Sequence, residues 1–393
     1  MCGVCSTSLQ LHTALPKPQP HCSNPTMTDQ FLIRRNKIKR YLIRQHWDAF
    51  LVTNPINVRY LTGFTGGSGY LILGNSGDIL LSDTRFTIQI EEECPGLDTY
   101  FRRTNEPLPY AVAGVLGRTT TGKLGVEAES ITLAGYDRIA QEIPNWQLIS
   151  VKNLVGELRQ IKDRNEIQLI RKAIDTADQT LRDIRTFLSS ERNEIEIRNE
   201  LEYRMRLNGA EDKSFPSIIG AGPRAALPHG SPSSQKLAGQ SHLLIDWGTI
   251  VQGYMSDLTR VFVFGKKNKK LQTIYETVLK AQKAAIEAIK PGKDCTEIDA
   301  VARSVISDAG FGKYFNHGLG HSFGLEIHES PRFASGDHSI LKPGMVMTVE
   351  PGIYLKDWGG VRIEDDILVT KTGCEVLSRR VPKSFEEMSC VIQ

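Results

Sequence analysis

The sequence contains no long apolar segment and only seven cysteines in 393 residues. No run approaches the roughly 20 consecutive apolar residues that a membrane-spanning helix needs, and no basic segment followed by an apolar one opens the chain. We therefore expect a soluble, cytoplasmic protein with no membrane partner. Cysteines this sparse do not form a disulfide framework. With 48 basic and 45 acidic residues the formal net charge is only +3, which gives no indication of nucleic acid binding.

Residues 1–27 are predicted to be a disordered extension. They are polar and include four prolines between positions 16 and 25, a composition that buries little apolar surface. The alternative is an upstream start, with Met27 as the true first residue. Cys2 and Cys5 form a CxxC pair near Cys22, which is a zinc-ligand spacing. Because this segment has nothing to pack against, we favour disorder over a zinc site.

The region from 28 to 157 alternates short apolar segments with helical ones. The predicted strands lie at 49–53, 70–75, 78–82, 123–127 and 148–155, and the predicted helices at 29–46, 85–93, 107–116 and 131–142. This alternation is typical of an α/β domain. The glycines from Gly63 to Gly69 form a loop between strands, but no Gly-Lys-Ser/Thr follows and no GxGxxG opens a helix. Nucleotide binding is therefore not predicted.

The region from 158 to 393 has a different pattern. Helical periodicity marks 163–188, 193–207, 268–289 and 296–308, whereas 215–265 and 342–377 have an apolar period of two with glycines at the turns. Helices packed on an antiparallel sheet explain both patterns. We predict an α+β domain.

Histidines are concentrated in this second region, where six of the nine occur between His229 and His338. His317, His321 and His328 lie in HGLGHSFGLEIHE, interleaved with three glycines. A helix tolerates that glycine content poorly, so the segment is predicted to be a strand or loop. Three imidazoles this close in the chain indicate a functional site.

Four carboxylates lie at the ends of apolar strands or inside them: Asp246, Asp257, Glu350 and Glu364. If the segment around the first two is a hairpin, these carboxylates can stand near each other on paired strands. A buried carboxylate is unfavourable unless it is paired or binds a metal. The neighbouring Asp365 and Asp366 we interpret as ordinary turn or strand-end charges.

Taken with His321, these four acids make an oxygen-rich set that contains one imidazole. Such a set suits two divalent cations of the manganese, cobalt or zinc kind. Two cations close together lower the pKa of a shared water and polarise a carbonyl. The implied chemistry is hydrolysis of an amide or an ester.

Five motifs follow one another in the second region: GAGPRAALPHG, LLIDWGTIVQGYMSDLTRVFVFG, HGLGHSFGLEIHESP, LKPGMVMTVEPGIY and GGVRIEDDILVT. In this order they resemble the pita-bread metallopeptidases, and among them the Xaa-Pro peptidases aminopeptidase P and prolidase. The resemblance covers about residues 160–380, and RYLTGFTG with LSDTRF resembles the creatinase-type N-terminal domain of the same family. It implies an α/β N-terminal domain followed by an α+β pita-bread catalytic domain.

The resemblance also implies a role for each ligand. Asp246 and Asp257 bind one metal, Asp257 and Glu364 bridge to the second, and His321 and Glu350 complete its shell. The two divalent ions are expected to be Mn²⁺, with Co²⁺ and Zn²⁺ as alternatives. The reaction implied is cleavage of the Xaa-Pro bond in dipeptides or at the N-terminus of longer proline-containing peptides, by a metal-bridging hydroxide. A homodimer is expected.

Further residues receive roles by the same resemblance. Glu350 acts in addition as general base, and His229 and His328 bond the scissile amide and stabilise the oxyanion. His317 lines the pocket that takes proline, and Arg362 orients a ligand carboxylate or contacts the substrate. For these side chains other than Glu350, the alternative is that they only buttress the site.

Three rival interpretations remain at this point. Methionine aminopeptidases share the five ligands but usually lack the N-terminal domain, and creatinase has its ligands replaced. A non-catalytic peptide-binding protein of this fold has usually lost ligands, and here none is missing. The sequence does not separate aminopeptidase P from prolidase.

Overall fold

The computed structural model describes residues 27–74, 77–265 and 268–392. The extension predicted before Met27 and its CxxC pair lie outside the described residues. Among the described residues, no helix has both the length and the apolar content that crossing a bilayer demands.

The N-terminal part is a six-stranded sheet flanked by helices. Its elements are α1 (Met27–Gln45), β1 (Ala49–Val52), α2 (Pro55–Thr62), β2 (Tyr70–Gly74), β3 (Gly77–Ser82), α3 (Thr87–Glu93), β4 (Asp98–Phe101), α4 (Leu108–Leu116), β5 (Gly122–Glu127), α5 (Leu133–Glu142) and β6 (Trp146–Val151). The strand order is β4-β3-β2-β1-β5-β6. β1 is central and fully buried, pairing antiparallel with β2 and parallel with β5. The four predicted helices and the first four predicted strands are confirmed, with small shifts at their ends.

Three local features of this part differ from the predictions. Strand β4 was not predicted. Helix α2 was not predicted; it begins because the Asn54 side chain accepts hydrogen bonds from the first helical amides and Pro55 occupies the first turn. The strand predicted to extend to residue 155 is wrong beyond Val151. Leu154 and Val155 instead begin a short helix, α6 (Leu154–Arg159), where both side chains are buried.

The C-terminal part packs long helices against antiparallel strands. Its elements are α7 (Arg164–Arg185), α8 (Glu194–Leu207), β7 (Asp212–Lys213), β8 (Ile218–Ala221), β9 (His242–Trp247), β10 (Thr249–Val251), β11 (Tyr254–Met255), β12 (Leu258–Phe264), α9 (Lys269–Ala288), α10 (Cys295–Asp308), β13 (Gly320–Ser322), β14 (Glu329–Phe333), β15 (Val346–Val349), β16 (Gly352–Leu355), β17 (Gly359–Arg362), β18 (Asp365–Val369), β19 (Cys374–Val376), α11 (Phe385–Met388) and β20 (Ser389–Cys390). The four helices predicted here are confirmed.

The strands of this part form two principal sheets. One has the order β20-β12-β9-β8, and the other has the order β14-β13-β15-β18-β19. The hairpin β16–β17 lies in sequence between β15 and β18 of the second sheet, and α9 packs against α10. A continuous apolar cluster joins helices α8, α9 and α10 to strands of both sheets. This cluster is the core that holds the two sheets in fixed relation.

Candidate metal centre

The first two acids of the site come from the paired strands β9 and β12. Asp246 lies opposite Thr259 in this antiparallel pair, so Asp257, two residues before Thr259, is its diagonal neighbour on the same face. Both side chains are buried. The hairpin geometry predicted for these two carboxylates is therefore present.

Glu364 joins them from the segment between β17 and β18. Its backbone amide donates to the carbonyl of Thr259, and the Thr259 hydroxyl donates to Glu364 Oε2 at 2.6 Å. One carboxylate oxygen from each of Asp246, Asp257 and Glu364 lies within 4.8 Å of the other two. Glu364 lies more than 100 residues from the two aspartates in sequence, and the three side chains together form one buried acidic cluster.

His321 and Glu350 extend this cluster from the second sheet. The Glu350 amide donates to the carbonyl of Leu319 at 2.8 Å, which brings the end of β15 beside β13. His321 Nε2 then lies 3.4 Å from Glu350 Oε1 and 3.5 Å from Asp257 Oδ2. The Thr348 hydroxyl accepts from the His321 amide and donates to Glu350 Oε1. All five residues proposed as ligands are in one place.

The carboxylates of this cluster repel one another, so they need a positive charge nearby to be ionised together. Burial, followed by the repulsion of the neighbouring carboxylates, raises the pKa values of Asp257 and Glu364 well above normal. Burial also raises the pKa of Glu350, to about 8, against the opposing effect of Arg362. Carboxylates this close are ionised together only when cations balance them.

The donor set fits divalent metal ions. Asp246 Oδ1 is buried and has no hydrogen-bond partner among the described residues, although a buried carboxylate oxygen normally has one. Burial lowers the pKa of His321 to about 3, so its imidazole is neutral, the form that coordinates a metal. Carboxylates with one imidazole suit manganese, cobalt or zinc.

Arg362 is tied to this cluster rather than free. Its Nη2 donates to Asp246 Oδ2 at 2.5 Å, its Nε donates to the Thr259 hydroxyl at 3.0 Å, and its Nη1 donates to the Tyr354 hydroxyl at 2.7 Å. The guanidinium is almost entirely buried. It therefore holds Asp246 in position and supplies one of the positive charges that the acids require.

A cavity of about 560 Å³ opens onto the five candidate ligands. The cavity is lined by the three histidines predicted to contact substrate, His229, His317 and His328. Arg332 also lines it. His317 Nε2 lies 3.0 Å from the Tyr354 hydroxyl, and burial lowers its pKa to about 4. An apolar wall completes the cavity: Phe215, Pro216, Ile218, Pro228 and Ile327.

Four side chains of the site were missed by sequence reasoning, and one of them is Thr348, which bonds His321 and Glu350. Thr259 and Tyr354 bond the cluster and its arginine, and Arg332 borders the cavity. Thr259 and Thr348 carried a usable signal, since period two places them on the faces of Asp257 and Glu350. Nothing in the local sequence distinguishes the other two.

The interpretation of Asp365 and Asp366 as ordinary turn or strand-end charges is wrong, because both are fully buried at the start of β18. Asp365 Oδ1 accepts from Arg260 Nη2 at 2.9 Å in an ion pair that is itself completely buried. Asp366 Oδ2 accepts from the amide of Asp257 at 3.1 Å. The second of these acids thus fixes the backbone of a candidate ligand.

Family models match both parts of the chain. Metallopeptidase family M24 matches residues 168–371, and the creatinase/prolidase N-terminal domain matches residues 34–161. The sequence is 36% identical over 354 residues to the Xaa-Pro dipeptidase of Pyrococcus horikoshii, covering 90% of this chain and 97% of that protein.

Solved structures agree with these matches. The structure resembles the Xaa-Pro dipeptidase from Bacillus anthracis with a TM-score of 0.86 at 35% identity, covering 92% of this chain and all of that one. It resembles the X-Pro aminopeptidase from Thermotoga maritima with a TM-score of 0.83 at 31% identity, covering 91% of this chain and all of that one. The predicted fold class, a creatinase-type N-terminal domain followed by a pita-bread catalytic domain, is confirmed, and so is the prediction of a metallopeptidase.

Proposed function

The chain belongs to metallopeptidase family M24, and we propose that it is an Xaa-Pro dipeptidase that uses two divalent metal ions. The observation that carries this proposal is the buried cluster of four carboxylates and one neutral imidazole at the base of a cavity. The relatives named Xaa-Pro dipeptidase support the choice of substrate.

The ligands are proposed to be Asp246, Asp257, His321, Glu350 and Glu364. Two divalent cations held by them would lower the pKa of a shared water and polarise the scissile carbonyl. Manganese is our proposal for the metal, since oxygen-rich sites with one imidazole accept it readily. Arg362 would keep Asp246 ionised and oriented through its 2.5 Å hydrogen bond.

The remaining steps belong to the side chains around the cavity. Glu350, which accepts a hydrogen bond from Thr348, is proposed to accept the proton of the attacking water and to deliver it to the proline nitrogen as that nitrogen leaves. His229 and His328 are proposed to donate to the carbonyl oxygen as negative charge develops on it. The apolar wall beside His317 suits a proline ring, whose fixed φ and missing N–H disfavour the extended, hydrogen-bonded binding that other proteases use.

Arg332 supports a dipeptide over a longer substrate. It lines the cavity, and among the described residues it forms no ion pair. A cation in this position would bind the free carboxylate of a C-terminal proline. A longer peptide has no carboxylate there, so its binding would gain nothing from this side chain.

The test is hydrolysis of Ala-Pro beside Ala-Pro-Ala, after dialysis against a chelator and again with added Mn²⁺. We expect cleavage of the dipeptide alone, restored by the metal. Cleavage of the tripeptide would instead identify an aminopeptidase P. If the metal-loaded protein cleaves neither peptide, the proposal is refuted.

A further inference from the structure

Glu329 follows the cavity histidine His328 directly and is buried between two cations. Its Oε1 accepts from Arg159 Nη2 at 2.5 Å, and its Oε2 accepts from Lys162 Nζ at 3.2 Å. The side chain is only 7% exposed. Burial alone would raise its pKa, but the two cations hold that pKa below its usual value. Glu329 is therefore ionised in the folded protein.

This carboxylate organises the loop between β13 and β14, residues 323–328. Its Oε1 also accepts from the amides of Leu325 and Glu326, at 3.1 and 3.2 Å. Lys162 reaches the start of the same loop, where its Nζ donates to the Ser322 hydroxyl at 3.0 Å. The loop connects His321 to His328, so its backbone conformation sets the distance between a candidate ligand and a cavity histidine.

A series of side-chain hydrogen bonds leads from Arg159 into the N-terminal domain. Arg159 Nη1 donates to Asn57 Oδ1 at 2.9 Å, and Asn57 Nδ2 donates to Glu127 Oε1 at 2.8 Å. Glu127 Oε2 in turn accepts from the amides of Thr53 and Asn54. Thus α2 and the end of β5 are joined to the loop through buried or largely buried groups.

Apolar side chains also connect the 323–328 loop to α2 and α6. Phe323 and Leu325 of the loop belong to one buried cluster with Val58 and Leu61 of α2 and with Val155 of α6. His328 itself is exposed, and it borders both the main cavity and a second cavity of about 270 Å³ that Arg159 and Glu329 also line. Its ring meets the edge of the His321 ring, with centroids 4.5 Å apart, and otherwise borders the two cavities. The loop backbone between these two histidines therefore helps to set the position of His328.

We propose that Asn57, Arg159 and Glu329 are positioning residues through which the N-terminal domain fixes the 323–328 loop and so places His328 over the reacting amide. The effect on catalysis rests on the proposed function, whereas the effect on the loop does not. On this proposal the N-terminal domain contributes to catalytic geometry through the loop, although the residues that line the main cavity belong to the C-terminal part.

The test compares Arg159→Met and the milder Asn57→Ala with wild type. Amide deuterium exchange is measured at Leu325 and Glu326, with β12 as an internal reference. We expect exchange at the two loop amides to quicken at least about tenfold while β12 is unchanged. On Ala-Pro, kcat should fall about tenfold or more, since small displacements of catalytic groups are costly, with KM changed by less than about twofold.

Two further variants distinguish a specific effect on the 323–328 loop from a general weakening of the contact between the two parts of the protein. Arg159→Lys keeps the charge beside Glu329 and should recover part of kcat and of the loop protection. Arg34→Met breaks a different set of contacts between the two parts of the chain, the pair of Arg34 with Asp163 and Glu166, and with it the hydrogen bond from Arg34 Nη1 to the Tyr60 carbonyl. It does not touch the loop, so its exchange at Leu325 and Glu326 should match wild type.

Unchanged exchange in Arg159→Met, or equal losses of kcat in Arg159→Met and Arg34→Met, would overturn the proposal. Loss of bound metal in parallel with kcat would also overturn it, because His321 is held separately by β13. If the wild-type protein does not cleave Ala-Pro, the proposed function fails, and the exchange comparison alone decides whether the loop is held in this way. A failure of Arg159→Met to fold leaves Asn57→Ala as the deciding variant.

Discussion

Replacing Asp257 by asparagine should make the metal-free protein more stable while removing its activity. The carboxylate of Asp257 is buried beside those of Asp246, Glu350 and Glu364. An amide has nearly the same shape and no charge, and it can donate a hydrogen bond to a neighbouring carboxylate. The variant therefore relieves repulsion that, in the functional protein, metal ions would balance.

The size of this effect follows from the geometry. Oxygens of Asp257, Asp246 and Glu364 lie within 4.8 Å of one another, and two full charges at that distance repel by about 3.5 kcal/mol at an effective dielectric constant of about 20. Part of the repulsion disappears because the acids take up protons. We expect a net gain of about 2 to 4 kcal/mol in the free energy of unfolding at about pH 8.5.

The pH dependence provides an internal check. The pKa of Glu350 is raised from 4.5 to about 8 in the folded protein. Its contribution to stability is complete below the unfolded pKa and is lost as the pH rises through about 8. Metal-free wild type should therefore weaken between about pH 5 and 8.5. The pKa of Asp257 is itself raised well above normal, so the advantage of Asp257→Asn, which removes this group, should grow over the same interval.

The assay is urea unfolding followed by circular dichroism, after exhaustive chelation and again with Mn²⁺. The matched control is Asp299→Asn, because Asp299 is a buried aspartate that pairs with Arg303 at 2.9 Å instead of facing other acids. The control should lose stability. With Mn²⁺ the order should reverse, since the ions stabilise wild type and bind the Asp257 variant poorly. If the metal-free Asp257 variant were destabilised like the control, the reasoning would be refuted.

Four other outcomes are expected. Glu364→Ala should lose both bound metal, by elemental analysis, and activity; normal turnover at normal metal content would contradict its role. His328→Ala should keep the metal but lower kcat about 100-fold or more, as loss of an oxyanion donor does; unfolding seen by circular dichroism would show a structural role instead. Burial lowers the pKa of His242, stacked on Trp358, to about 4, so the contribution of this histidine to stability should be full above about pH 6.5 and fall by about 3 kcal/mol toward pH 4; urea titrations of His242→Phe, which keeps the stacking, should lack this decrease. Light scattering at micromolar concentration should give the mass of a homodimer, and a monomeric mass would contradict that expectation.

Much of the architecture could be predicted because the local periodicity of apolar residues distinguishes helices from strands. The change from alternating helices and strands to long helices with period-two strands separates the α/β part from the α+β part. The juxtaposition of Asp246 and Asp257 was also predictable, since a hairpin of known length places them on one face. By contrast, the turn or strand-end reading of Asp365 and Asp366 failed because a charged dipeptide looks the same at an exposed turn and in a buried strand. Distant partners such as Arg260 and Lys383 distinguish the two cases.

The same limit explains why the contacts around Glu329 could not be predicted. Asn57 and Arg159 are separated by 102 residues, and Arg159 and Glu329 by 170, so no periodicity or spacing connects them. Each residue alone is an ordinary polar side chain near the end of an element. Once the two parts of the protein are packed together, however, an unpaired Arg159 or Glu329 would be a buried charge and an unpaired Asn57 a buried polar group, and both are unfavourable. The set must therefore be retained or lost as a unit, and a substitution as far from the cavity as Asn57 is expected to be felt at His328.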